Sequence, residues 1–227
     1  PMSEADRSAG TAAPTDGVTK FTFDRRSGRG SAERELAELA AGRQELFLRD
    51  AIGCNVTRYG CCYGNASVRV GPWAAPRGRR EFVISGTQTG GVASPGSESW
   101  VRVVRYDHAQ NRVVAEGPCD PSSESLTHAA IYDADLTTRA VMHGHERQTW
   151  LWLRKNGVPE TPPGVEYGTS EMAVAAAALL AEAKRKPWRL PGVFVMAGHE
   201  DGVVAWGDSP RQAAERFVSA YNAARIR

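Results

Sequence analysis

The sequence predicts an α/β fold in one compact domain, and three observations predict it. A chain of 227 residues with 41% hydrophobic and 24% charged content has the composition of a globular protein long enough to bury a sizeable core. Four short β signals bounded by turn residues, at 65–70, 80–85, 100–107 and 112–116, read as an antiparallel meander. Helical patterns lie on both sides of that meander, among them a strong Ala/Leu pattern and an amphipathic one that closes the chain. No internal repeat is present.

Taken in order, residues 1–30 are rich in Ser, Ala, Gly, Thr and Asp, with only Phe21 and Phe23 as large apolar anchors. Such a composition buries too little surface to order itself, so a flexible arm is expected there and a folded domain over 31–227. From Ser31, a plausible N-cap, the spacing of Leu36, Leu39, Ala40, Phe47 and Ile52 predicts a first helix ending near Gly53. The third and fourth strands of the meander are joined by a polar turn at 108–111. Between the second and third lies Gly86-Thr87-Gln88-Thr89-Gly90-Gly91, too glycine-rich for a strand, which reads as a loop that something approaches closely.

After Pro121, Ser122 and Ser123 can cap a helix through Leu126, Ala130 and Ile131, and residues 135–138 return the chain into an apolar strand at 140–145. A helix around Thr149–Arg154, a Pro-rich loop at 158–164 and an Ala/Leu helix opened by Thr169 or Ser170 and running to about Lys184 follow. Strands are expected at 192–197 and 203–206. Ser209 as cap and Pro210 at the first helical position then open an amphipathic closing helix carrying Ala213, Phe217 and Tyr221.

The net charge of +2 is spread among interleaved acidic and basic residues. That argues against a nucleic-acid binder working by bulk electrostatics, and Arg77-Gly78-Arg79-Arg80 reads as a solvated hairpin loop. No segment reaches the roughly 18 apolar residues of a membrane span, and no apolar signal core opens the chain, so a cytoplasmic protein without a membrane partner is expected. Cys54, Cys61, Cys62 and Cys119 have no paired CxxC spacing and are expected to be buried, reduced thiols.

The chemistry centres on Val141-Met142-His143-Gly144-His145. Residues i and i+2 of a strand share a face, so both imidazoles can reach one metal ion. Such a pair is often incidental on its own; here Pro121-Ser122-Ser123-Glu124 and Met196-Ala197-Gly198-His199 stand where further ligands can come from. Three neutral imidazoles with a carboxylate or water form the open site typical of catalytic zinc. His108 reads as solvated, and His128 as structural or a pocket wall. Gly64-Asn65, the 87–91 loop and Ser122-Ser123 offer backbone N–H groups and hydroxyls without bulk, the makings of a phosphate cradle. Singly, each is a commonplace turn or cap.

These segments, with Gly64-Asn65-Ala66-Ser67-Val68-Arg69, Tyr167-Gly168-Thr169-Ser170-Glu171-Met172 and the closing Gly207-Asp208-Ser209-Pro210, resemble the class II aldolase/adducin family, in the same order over roughly 33–225. The resemblance implies a three-layer α/β/α fold around a central, mainly antiparallel sheet. It implies that His143, His145 and His199 hold a divalent metal, zinc first with Mn2+, Co2+ or Fe2+ as alternatives, and that Glu124 is the acid/base. Gly64, Asn65, Thr89, Gly90, Ser122 and Ser123 would hold a substrate phosphate. The implied activity is aldolase-type C–C cleavage or formation in a small hydroxy-carbonyl or sugar-phosphate substrate through a metal-bound enediolate, in a homotetramer. Epimerase, dehydratase or decarboxylase chemistry on the same site, or a non-catalytic adducin-like module, are the alternatives. Three departures are visible. The segment after the histidine pair is short and has no match for the aromatic residue that fuculose-type members send into a neighbouring subunit's site. Glu200 and Asp201 follow His199 where the family has Gly, with a solvated turn as the expected reading, and the 85–90 loop is longer than the family's.

Overall fold

A computed structural model of the chain describes residues 17–28, 33–186, 188 and 190–226. Strand β1 (Thr22–Arg26) precedes helix α1 (Glu33–Phe47), and a hairpin of β2 (Gly53–Asn55) and β3 (Cys61–Tyr63) carries the short helix α2 (Val56–Tyr59). The meander follows as β4 (Asn65–Arg69), β5 (Phe82–Ser85), β6 (Trp100–Asp107) and β7 (Arg112–Glu116). Then come α3 (Ser125–Ala134), β8 (Ala140–His145), α4 (Arg147–Lys155), α5 (Ser170–Ala183), β9 (Val193–Val195), β10 (Gly202–Gly207) and α6 (Pro210–Ala223).

Eight strands form one sheet in the order β1-β7-β6-β5-β4-β8-β10-β9. Every neighbouring pair is antiparallel except β1 and β7. Both faces of the central strands are buried, so alternate residues feed two cores. Ala66, Val83, Met142, Val203 and Ala205 pack with Leu39 and Leu46 of α1, Trp150 of α4 and Phe217 of α6. Ile84, Val141, Val204 and Trp206 pack on the other face with Leu126 and Ile131 of α3 and Met172 and Leu180 of α5. Each fully buried side chain of the Leu or Phe size contributes about 1.5–3 kcal/mol, which makes the sheet between two helical layers a stiff support for whatever β8 carries at its end.

The structure departs from the sequence-based expectations at several places. The expected arm is ordered by residue 17: Thr22–Arg26 pairs in parallel with Arg112–Glu116, and Phe21 is buried in the second core. Residues 1–16 and Ser31 lie outside the described residues. The first helix ends at Phe47 rather than near Gly53, because Ala51 N–H bonds back to Leu46 O and Asp50 takes a left-handed φ of 54°, which turns the chain into β2. Cys54 and Cys62 stand directly opposite in the β2–β3 ladder and form a disulfide, whereas reduced thiols were expected at all four cysteines. Cys119 is a free thiol, and Cys61 is buried. Finally, Arg80 is not solvated: its Nη1 donates to Tyr132 O at 2.8 Å from a buried position. His108 likewise lies 3.4 Å from the Asp133 carboxylate.

No helix among the described residues is long and apolar enough to cross a membrane.

Candidate metal centre and anion cradle

Strand β8 delivers His143 and His145 to one end of the sheet, and the turn between β9 and β10 delivers His199. The Nε2 atoms of His143 and His145 are 3.1 Å apart, and those of His145 and His199 2.9 Å. All three side chains are buried. Val203 O, which can only accept, lies 3.3 Å from His143 Nδ1, so the ring proton belongs on Nδ1 and the Nε2 lone pair points into the cluster. Burial lowers the His143 imidazole to about 4 and those of His145 and His199 well below their ordinary value. The rings are therefore neutral at neutral pH, the state in which imidazole binds a metal. Three converging neutral nitrogens fit a divalent ion of the zinc type, whose bonds to imidazole are about 2.0–2.1 Å.

Aromatic rings wall the cluster. Tyr59 meets His145 edge-on with centroids 5.0 Å apart, and Tyr167 lies 4.5 Å from His199. Asp201 fixes Tyr59: its Oδ2 accepts from the Tyr59 hydroxyl at 2.7 Å and from Arg58 at 2.5 Å. The expectation of a solvated turn fails for Asp201, which is fully buried with a left-handed φ of 66°. It holds for Glu200, which pairs with Arg147 at the surface.

Glu124 lies beside the cluster because α3 starts later than its serines suggest. The helix begins at Ser125, and the N-cap position is Glu124 itself, with no side-chain cap bond. Ser122 O accepts from both the N–H (3.0 Å) and the hydroxyl (2.7 Å) of Ser125. The expected capping by Ser122 and Ser123 is thus replaced by a backbone turn, with Ser122 Oγ accepting from the Glu124 N–H at 3.4 Å, and both serines line the cavity. Underneath, Ser67 Oγ bonds His128 Nδ1 at 2.7 Å and the Tyr132 hydroxyl at 2.6 Å, so His128 is a structural histidine of α3.

One cavity of about 20 Å³ collects Gly64, Asn65, Gly90, Ser122, Ser123, Glu124, His143, His145 and His199, room for about one water-sized species. Gly64 has a φ of 76°, and a Cβ there would come within 2.6 Å of Ile52 and 3.1 Å of His143 O; only glycine passes between those elements. Gly90 is tighter still, because a Cβ at that position would lie 2.5 Å from both Gly53 O and Tyr63 O. Thr89 does not line the cavity: its hydroxyl is spent on Gly86 O at 2.7 Å. Thr87 and Gln88 line it instead, together with Gly17, whose carbonyl accepts from Thr87 Oγ1 at 3.4 Å and Gln88 Nε2 at 3.5 Å. Beside this cavity runs a groove of about 700 Å³ that shares His199 and includes Lys20, Arg58, Tyr59 and Tyr167. No sequence signal marked Tyr59 or Arg58, which come from the unpredicted hairpin; Gln88 lies in the 87–91 loop that the sequence singled out, but only the fold sets which of its residues face the cavity.

Comparison with known structures gives the same fold. The L-fuculose-1-phosphate aldolase of Thermus thermophilus superposes with a TM-score of 0.60 at 21% identity, over 86% of this chain and 93% of that one. A sugar-phosphate aldolase of Thermotoga maritima gives a TM-score of 0.62 at 15% identity, over 85% and 93%. YgbL of Escherichia coli, whose activity is left open among aldolase, epimerase and decarboxylase, gives 0.60 at 17%, over 83% and 86%. No curated protein matches in a sequence comparison. The family profile described as Class II Aldolase and Adducin N-terminal domain matches residues 59–227, more than half of the chain, so this protein belongs to the class II aldolase and adducin family.

Proposed function

We propose that the protein is a metal-dependent lyase of the aldolase type, forming or cleaving a C–C bond in a small hydroxy-carbonyl compound, with a sugar phosphate as the favoured substrate form. The observation that carries this reading is the placement of Glu124 in one buried cavity with three converging imidazoles on one side and Asn65, Gly90, Ser122 and Ser123 on another. His143, His145 and His199 would hold the ion, zinc in first place, which supplies Lewis acidity to a carbonyl and its neighbouring hydroxyl.

The chain's own residues do the rest. Asn65, Gly64, Gly90, Ser122 and Ser123 offer amide and hydroxyl donors to the phosphate end and so orient the reacting carbon toward Glu124. The Glu124 carboxyl then holds and moves the proton at the carbon next to the carbonyl, the role of a positioned general base. Tyr59, Tyr63 and Tyr167 limit water at the imidazoles. The assembly implied by the family resemblance is a homotetramer, which light scattering tests. Epimerase, dehydratase and decarboxylase reactions can use the same site, and a panel of ketose phosphates separates them. Two carbon fragments from one substrate support the lyase; an intact isomer, loss of water or loss of carbon dioxide overturns it.

A further inference from the structure

Arg43 of α1 is 1% exposed. A buried guanidinium is costly unless an anion or several acceptors surround it, yet among the described residues its hydrogen-bond partners are two carbonyls. Nη2 donates to Thr89 O at 3.0 Å and to Gly90 O at 2.8 Å, while Nη1 is buried with no hydrogen-bond partner. Burial lowers its pKa to about 10, so it stays charged at neutral pH.

The two carbonyls belong to the turn that carries Gly90 to the cavity wall. In a planar trans peptide the N–H points opposite to the C=O. Holding Thr89 O toward Arg43 therefore turns the Gly90 N–H away from Arg43, and among the described residues that N–H donates to no other protein group. The charge also polarises the same peptides, since a hydrogen bond from a cation strengthens the next donor in line. A buried cation with no carboxylate partner among the described residues, placed behind a glycine that lines the cavity, is arranged for an anion that arrives with the ligand.

We propose that Arg43 is the positioning residue and buried counter-charge of the anion cradle: acting through Gly90, it selects a substrate that ends in a phosphate monoester over an uncharged one. This rests on the reading of the cavity as the substrate site, and the following test keeps the two apart. Inorganic phosphate is titrated calorimetrically into the metal-loaded wild-type protein and into Arg43→Lys and Arg43→Met, with metal content and thermal midpoint measured on each. The expected result is a phosphate Kd weakened on the order of tenfold or more in Arg43→Met and by less in Arg43→Lys, which keeps the charge but not the double grip, with metal content unchanged in both.

A purely structural arginine would lower the thermal midpoint of both variants and leave the Kd of the folded fraction alone; that result contradicts the proposal. So does phosphate binding insensitive to residue 43, as expected of phosphate held by the metal alone, and so does a wild-type protein that binds no phosphate. In each of those cases the lyase reading still stands or falls on its own metal content and products.

Discussion

Asn65 on β4 pairs directly with His143 on β8 in the antiparallel ladder, so the proposed anion cradle and the imidazole cluster are locked to each other by one backbone register. Asn65 Oδ1 is buried with no hydrogen-bond partner, a costly state that a donor such as a ligand hydroxyl or a water relieves, while its Nδ2 is the group that can donate to a phosphate. Asn65→Ala keeps the register and removes only the amide. A bond to a charged group is worth about 1.5–3 kcal/mol, so KM for a phosphorylated substrate should rise about tenfold or more while metal content holds. An unchanged KM removes Asn65 from the cradle.

Glu124→Gln preserves the shape of the cavity wall and removes the proposed acid/base. Positioned proton transfer contributes about 10²–10⁴-fold, so kcat should fall by that order while substrate binding, read by isothermal titration calorimetry, persists. Turnover at the wild-type rate would reject Glu124 as the base.

Asp201 holds Arg58 and Tyr59 from a left-handed backbone position. Asp201→Ala leaves the Tyr59 hydroxyl without its acceptor and places a residue of poor left-handed propensity in the turn. A loss of about 1–3 kcal/mol is expected in urea unfolding, with a smaller loss for Asp201→Asn, which tolerates that conformation and retains an acceptor. Equal stability of all three proteins would show that the buried carboxylate contributes nothing to the fold.

Asp135 sets a pH dependence. Burial raises its pKa, but bonds from the Thr137 N–H and hydroxyl, the Lys184 ammonium and the Thr138 hydroxyl outweigh it and lower the value below the ordinary carboxylate range. A depressed folded-state pKa means stabilisation that is present above the unfolded value and lost as pH falls through the folded one. The gap in thermal midpoint between wild type and Asp135→Asn should therefore be widest near neutral pH and close in acid. A gap that persists in strong acid would assign the difference to packing.

Much of the fold was legible because its signals were local and strong. The strands Trp100–Asp107 and Arg112–Glu116 and the Ser209-Pro210 helix start appear where alternation and cap chemistry place them. The β2–β3 hairpin was not, since three-residue strands carry too little period to read, and with it went Tyr59, Arg58 and the Cys54–Cys62 pair. Thr89 against Thr87 and Gln88 was decided by one residue of turn register, which sequence does not encode on its own. Asp201 looks solvated in sequence and nothing there singles out Arg43, because the burial of each depends on groups far away in the chain: Tyr59 for the first, Gly90 for the second.

The account turns on His143, His145 and His199 sharing one ion, and elemental analysis of the purified protein tests that most directly. Wild type, after exposure to zinc and removal of excess, should carry about one equivalent per chain, and His143→Ala, His145→Ala and His199→Ala should each lose most of it while remaining folded. Metal content unaffected by all three substitutions would contradict the assignment, and with it the reading of this cavity as a metal-dependent active site.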